Sequence, residues 1–313
     1  MKTVDLIVPC YNESEVLSMF YEEVCSVAQK CSDYGFKFIF INDGSSDSTL
    51  EIIGKLAQKD KRVKYISFSR NFGKEAAMLA GMSYSSGDYV GIIDADLQHS
   101  PELLIDMIKA VDIEGYDVAA ARRVDRQGES KLKSALSRRF YRVISKLSDV
   151  EIQDGAQDFR VMTRKVVKAI LSMPEYNRFS KGIFTWVGFK TKWFEHENRE
   201  RAAGNTKWSI AKLFKYAIDG IIGFSTTPLK ISFMTGVVFS TLGTLYAVYI
   251  IIDTIINGPD VAGYPSIICL IVLMSGLILT SLGIVGEYIA KIYMEVKRRP
   301  LFLVDTTNID KRD

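Results

Sequence analysis

Residues 89–99 read YVGIIDADLQH. A short apolar run, Tyr89–Ile93, ends in two acids, Asp94 and Asp96, one residue apart. β-branched and apolar residues closing on a polar loop read as a buried strand. A helical pattern follows over 101–113. The same unit recurs on either side. Val4–Pro9, Phe36–Asn42, Val63–Phe68, Tyr89–Asp94 and Asp117–Ala121 read as strands, with helices near 14–30, 46–58, 73–84 and 101–113. Strands alternating with helices predict a mostly parallel sheet covered on both faces. Polar clusters follow three strand ends: Asn12-Glu13, Asp43-Gly44-Ser45 and Asp94-Ala95-Asp96. Open α/β sheets bind ligands at those carboxyl ends, so the three clusters predict one shared site.

The averages of the 313 residues conceal a segregation. Forty basic and 37 acidic residues leave a net charge of +3, too balanced for a nucleic-acid binder recognised by charge alone. A 48% hydrophobic share excludes general disorder. The mean hydropathy of +0.08 is that of a soluble protein. Yet residues 231–252, ISFMTGVVFSTLGTLYAVYIII, and 264–286, YPSIICLIVLMSGLILTSLGIVG, contain no Asp, Glu, Lys, Arg or His. Each is long enough to cross a hydrocarbon core of ~30 Å as a helix. Lys212, Lys215 and Lys230 precede the first stretch, and Lys291, Lys297, Arg298 and Arg299 follow the second. The intervening loop, Asp253–Gly263, has neither Lys nor Arg. The positive-inside rule then places both termini in the cytoplasm. The opening MKTVDLIVPCYNE has too short an apolar run for a signal peptide. Gly236, Gly243, Gly276 and Gly283 would permit close helix packing or oligomerisation. Four cysteines without a CxxC pair argue against a disulfide framework or zinc site.

Two further stretches are amphipathic. Residues 130–147, SKLKSALSRRFYRVISKL, read either as a helix packed on the sheet with a solvated basic face or as a contact for anionic lipid. Residues 207–224, KWSIAKLFKYAIDGIIGF, precede the first span and fit an interfacial helix.

The acids supply the chemistry. Two carboxylates one residue apart can meet a divalent cation and, through it, a diphosphate; Mg²⁺ and Mn²⁺ prefer such oxygen ligands. Taken alone, a DxD also serves as a turn. Asp47 reads equally as a helix N-cap. Asp43 can accept hydrogen bonds from a nucleobase or ribose.

VPCYNE (8–13), NDGSSD (42–47) and DADLQHSP (94–101), in this order and spacing, resemble family 2 glycosyltransferases. With the spans and GIVGEYIAKIYMEVKRRP (283–300), the chain over roughly 3–304 is similar to the polyprenyl-phosphate glycosyltransferase branch. That branch includes bactoprenol glucosyltransferases and, more distantly, dolichyl-phosphate mannose synthases. The resemblance implies an α/β fold: a GT-A, Rossmann-like nucleotide-sugar domain, then interfacial helices and two transmembrane helices. The boundaries expected are 1–206 for the catalytic domain, 207–228 for juxtamembrane helices, 229–290 for the hairpin and 291–313 for a cytoplasmic tail.

The resemblance also assigns roles. It places Pro9, Tyr11, Glu13, Asp43, Asp94 and Gln98 around the nucleotide sugar, and Asp94, Asp96 and Gln98 around Mg²⁺ or Mn²⁺. Asp96 is the principal metal ligand. Asp158, in QDFR (157–160), is the catalytic acid facing the acceptor; otherwise it is a turn residue or the partner of Arg160. Arg122 and Arg123 bind diphosphate or acceptor phosphate, or else balance local carboxylates. RERAAGNTKW (199–208) resembles a mobile loop in which Arg201 and Lys207 bring cations to the phosphates, or else a basic stretch held by anionic lipid. His99 reads as a loop hydrogen-bonder.

The activity implied is inverting transfer of a sugar, with UDP-glucose and undecaprenyl phosphate preferred, by a membrane-bound homo-oligomer such as a tetramer. Three alternatives stand beside it. A processive polysaccharide synthase would carry Q-x-x-R-W, which is absent from the sequence. A dolichyl-phosphate-mannose-synthase-like enzyme would use GDP-mannose. A membrane scaffold would leave the acids without work.

Overall fold

The computed structural model describes residues 1–123, 153, 155–173, 175–196, 221–258 and 263–310. The stretch 130–147, most of 207–224, and both Arg201 and Lys207 lie outside the described residues.

Four strand–helix units open the chain: β1 (Lys2–Cys10) and α1 (Leu17–Lys30), β2 (Tyr34–Asn42) and α2 (Thr49–Lys59), β3 (Val63–Phe68) and α3 (Lys74–Tyr84), β4 (Tyr89–Ile92) and α4 (Leu103–Asp112). Then come β5 (Val118–Arg123), β6 (Ala156–Thr163), α5 (Arg164–Leu171), α6 (Ser180–Trp186) and β7 (Thr191–His196). Two long helices, α7 (Thr227–Asn257) and α8 (Tyr264–Lys297), precede a last strand, β8 (Val304–Thr307). The strands form one sheet in the order β7-β5-β6-β4-β1-β2-β3-β8.

The centre of the sheet is the parallel unit that the alternation predicts. β1 runs parallel to β2 and β4, and β2 to β3. Successive β1 residues bury on opposite faces: Leu6 and Val8 join Phe20, Phe40 and Leu104, while Ile7 joins Ile39, Met78 and Ile92. A strand buried on both sides reads as a continuous apolar run, which is why LIV (6–8) shows no alternation.

Three strands lie beyond the predicted five. β6 inserts antiparallel between β4 and β5, and β7 adds parallel to β5. β6 alternates weakly, and β7 (TKWFEH) is only partly buried, so neither stands out by composition. The third, β8, pairs antiparallel with β3. The stretch expected as a tail from 291 therefore holds the last turns of α8 and an edge strand.

The two apolar helices run 31 and 34 residues, about 46 and 51 Å at 1.5 Å per residue. Both are long and apolar enough to cross a membrane, and both exceed the two uncharged stretches. Their side chains, such as Leu245, Tyr249, Leu279 and Leu282, are exposed. A Cβ placed at Gly236, Gly243, Gly276 or Gly283 would meet nothing within 4 Å, so α7 and α8 do not use these glycines to approach each other.

The far end of α8 is tied to the sheet domain. Glu295 accepts the backbone N–H groups of Tyr176 and Asn177, Lys291 donates to Asn177, and Tyr288 donates to the Ser225 carbonyl. The chain then crosses to β3. Phe302 stacks on Phe68 at 5.1 Å, and Asn308 bonds the backbone of Tyr65 and Val63. Removing the Phe302 ring should cost about 1–3 kcal/mol, below the range for a fully buried Phe because Phe302 is only partly buried. Denaturant unfolding of Phe302→Ala in detergent checks this; a loss under about 0.5 kcal/mol would mean that β8 is not part of the cooperative unit.

Candidate functional site

The loops after β1, β2, β3 and β4 converge at one end of the sheet, as the strand-end rule requires. The first two are latched together. Asn12, at φ 54°, accepts the Ser46 N–H at 2.8 Å through its side chain, and its own N–H donates to Ser45 Oγ. Glu13 N–H donates to Thr49 Oγ1 at 2.9 Å. Asp47 accepts the Thr49 N–H and hydroxyl with one oxygen and the Ser14 N–H with the other. That is an Asx-type turn into α2, one residue ahead of an N-cap. Tyr11 stands at the rim, 38% exposed.

Asp43 has a duty that its motif did not reveal. It is buried at the end of β2, and its two oxygens accept the backbone N–H groups of Phe72 and Gly73 at 2.6–3.2 Å. Burial pushes its carboxyl pKa up against the pull of those N–H groups. The contact draws the loop after β3 onto the end of β2. Two glycines make it possible. Gly44, at φ +62°, lies so close to the next loop that a Cβ would fall 2.3 Å from the Arg70 carbonyl carbon. Gly73, at φ +94°, turns its N–H toward Asp43 in a conformation that other residues resist.

Lys74 follows, as the first residue of α3. A cation there faces the positive end of the helix dipole and needs compensation. Its ammonium lies 2.7 and 2.8 Å from the two oxygens of Asp94 and 2.6 Å from Asp158 Oδ2. Asp94 lies in the loop just after β4, and Asp158 arrives on the neighbouring β6, so the antiparallel insertion of β6 is what brings the two acids together. Burial alone would push the Asp158 carboxyl up, but Lys74, with Lys181 and Arg160, holds it well below the usual carboxylate range. Burial likewise opposes the charge on Lys74, and its two acids overcome it and raise its pKa. Asp158 therefore pairs with Lys74. Arg160 is buried instead against the Phe184 ring at 3.6 Å, donating to the carbonyls of Gln157 and Asp158. Burial lowers it to about 10.

Asp96 accepts the Gln98 N–H at 3.1 Å, with Leu97 between them at φ 57°. This tight turn fixes the Asp96 carboxylate over the loop that follows β4. His99 is buried under the turn. Its Nε2 meets Gln157 Oε1 at 2.8 Å, and burial lowers its pKa. It thus locks the DxD turn to β6 and is more deeply placed than a loop hydrogen-bonder. Arg122 forms an ion pair with Glu195 on β7, the carboxylate-balancing arrangement.

The acids Asp94, Asp96 and Asp158 thus share one end of the sheet with Pro9, Tyr11, Glu13, Asp43 and Gln98. The sequence reading missed Lys74 and its neighbour Glu75. The signal was available: RNFGKE (70–75) follows β3 as NDGSSD follows β2, and it is a fourth strand-end loop. Glu75 accepts the N–H and hydroxyl of Ser180, at the start of α6. Burial, and then the charge of Asp158, lift it to about 7.

The Glu75 shift has a sign. The folded protein holds a proton there that an unfolded chain, at 4.5, releases. The stabilisation is complete below 4.5 and is lost as pH rises to about 7. Glu75→Gln keeps an acceptor for Ser180 without the ionisation. The melting temperature of the variant relative to wild type should therefore climb between pH ~5 and ~8. A difference that stays flat would place Glu75 in ordinary carboxylate surroundings.

Comparison with known proteins adds independent findings. Residues 5–171 match Glycosyl transferase family 2, and residues 227–292 match the GtrB C-terminal hairpin. CsbB of Bacillus subtilis (strain 168) is 44% identical over 310 residues, covering 99% of this chain and 93% of that protein. A prophage bactoprenol glucosyl transferase homolog of Escherichia coli (strain K12) is 40% identical, covering 96% and 98%. The bactoprenol glucosyl transferase of Shigella phage SfII is 41% identical, covering 96% and 97%.

Proposed function

The chain belongs to glycosyl transferase family 2 and is a glycosyltransferase; from that premise we propose that it transfers glucose from UDP-glucose to undecaprenyl phosphate at the membrane surface. One observation carries the reading. Asp94 and Asp158, from different strands, meet over a single ammonium in a chain whose second apolar helix is tied to the same domain. A site for a soluble, anionic donor is thereby fixed beside a membrane hairpin. The names of the phage and prophage relatives favour glucose over the mannose alternative.

The site chemistry fits a divalent cation. Asp94 and Asp96 offer hard carboxylate oxygens on one loop, and Mg²⁺ or Mn²⁺ takes such donors together with substrate phosphates; among the described residues no three acid, His or Cys side chains are gathered to hold an ion without them. When bound, the ion supplies positive charge to the departing diphosphate. Pro9, Tyr11, Glu13 and Asp43 line the nucleoside side of the same loops. Arg123, Arg201 and Lys207 are the basic groups assigned to the phosphates, Arg122 being paired with Glu195. Both ends of the hairpin rejoin one domain, through Phe224, which packs against Phe179, and through β8. That supports an even number of crossings, with the basic flanks putting the catalytic domain in the cytoplasm.

In the protein without donor, Lys74 keeps Asp158 ionised. The acceptor needs little help, since a phosphate monoester loses its second proton near ~6 and already offers an oxyanion. Asp158 therefore orients the acceptor and stabilises the positive charge developing at the anomeric carbon.

Membranes carrying the protein, given polyprenyl phosphate and a panel of labelled UDP- and GDP-sugars, should yield one labelled lipid, from UDP-glucose. A product from GDP-mannose alone would transfer the reading to the mannose branch. Asp96→Asn should lose at least ~10²-fold in turnover, the scale of one removed electrostatic stabiliser, and recover partly at high Mn²⁺. Asp158→Asn should slow turnover but keep the acid limb of the pH–rate profile near ~6, because that limb belongs to the acceptor phosphate. Disappearance of the limb in the variant would make Asp158 the base.

A further inference from the structure

Lys74 stands in no motif that carried the functional reading, yet it holds the position on which two assigned acids depend. Its ammonium engages both oxygens of Asp94 and one of Asp158. The arrangement is built, not incidental. Asp43 fixes the backbone at Phe72 and Gly73, Gly73 supplies the turn, and Lys74 is the next residue. Phe72 packs edge-on against Phe68 at 5.7 Å, and Phe302 covers Phe68 from β8. The Lys74 side chain is 39% exposed, so it has room to swing while its backbone stays fixed.

The charge arithmetic is informative. Two carboxylates and one ammonium leave a net charge of −1 before Asp96 is counted. A divalent cation meeting Asp94 brings two positive charges to a carboxylate that already faces an ammonium with both oxygens. The two cations repel, and an oxygen lone pair cannot serve both along one direction. A nucleotide diphosphate arriving with the cation brings oxygens on which an ammonium can settle. Lysine suits this exchange: a compact point charge on a flexible stem, with three donors that can re-aim.

We propose that Lys74 is an exchangeable counter-cation of the donor site. It bridges Asp94 and Asp158 when Asp94 holds no metal, and passes to the diphosphate oxygens of the sugar nucleotide when Asp94 takes one. This rests on the reading of Asp94 as a metal ligand. The consequence is order: metal alone binds Asp94 poorly because it must displace Lys74, and metal with nucleotide binds well because the displaced ammonium finds a partner. Free metal is thereby kept from occupying the site without the donor. Glu75, the adjacent acid, accepts from Ser180.

The test uses the full chain in detergent and reads metal binding directly, by the loss of the free Mn²⁺ signal in electron paramagnetic resonance. Without nucleotide, Lys74→Met should bind Mn²⁺ roughly tenfold more tightly than wild type, in line with the effect a neighbouring charge has on an ionic equilibrium. With UDP present, the gain in Mn²⁺ affinity that wild type shows should shrink in the variant by a similar factor. Lys74→Arg retains the charge and can pair both acids through its fork, so its Mn²⁺ binding without nucleotide should match wild type or be weaker. It keeps the test decisive should the methionine variant fail to fold. Mn²⁺ affinity in Lys74→Met equal to or weaker than wild type, or tighter in Lys74→Arg, would show that Lys74 is only a structural ion pair. Binding of UDP-glucose with no Mn²⁺ bound by any of the three proteins would overturn the metal reading together with the exchange.

Discussion

Two carboxylates on neighbouring strands repel unless a cation lies between them, and here the cation is Lys74. Asp94 lies just after β4 and Asp158 lies on β6, the strand that breaks the parallel order. Without β6 there is no second acid at this place; without an ammonium the pair would sit as two uncompensated charges. The surrounding structure places that ammonium. Asp43 spends its oxygens on the backbone just before it, Gly44 lets the loops approach, and Gly73 turns the chain into α3. In the protein without donor, the same contact keeps the Asp158 carboxylate charged against the effect of its burial.

The membrane hairpin is joined to this centre at more than its first residue. Glu295 and Lys291 near the end of α8 hold the segment at 176–177, three residues from Ser180, which Glu75 grips from the start of α3. Beyond α8 the chain returns to the sheet as β8, and Phe302 covers Phe68 at the root of the loop that bears Lys74. Two continuous routes of packed side chains and hydrogen bonds therefore run from the apolar helix to the acids. The proposed reaction joins a soluble donor to a lipid phosphate and would need its site at a fixed height above a bilayer. This double attachment provides a physical basis for that.

Much of this was legible from residue types. The runs that became β1 to β5 announced themselves by apolar composition, the acids by their positions after those runs, and the hairpin by the absence of charge. β6 and β7 were harder. Their pairing is antiparallel or at the edge, and polar residues such as Gln157, Arg160 and Glu195 interrupt their apolar runs, Arg160 being buried all the same. β8 was hidden by distance: its partner β3 lies some 240 positions away, beyond two apolar helices. Lys74 was hidden for another reason. A lysine opening a helix has an ordinary solvated reading, and only the fold shows two carboxylates on either side of it. Asp43 illustrates the limit of motifs. Its place in NDGSSD marks it as important without saying that its oxygens hold the neighbouring loop.

The central claim is that a metal-bound sugar nucleotide sits on Asp94 and Asp96, facing Asp158, with Lys74 moved onto its diphosphate. A structure of the full chain with Mn²⁺ and an unreactive UDP-glucose analogue, with the ion located by its anomalous scattering, tests that directly. The expected result is a manganese peak at bonding distance from the carboxylates of Asp94 and Asp96, with Lys74 Nζ withdrawn from Asp94 to the diphosphate oxygens. A peak away from both acids, or a nucleotide bound with Lys74 still bridging Asp94 and Asp158, would contradict it.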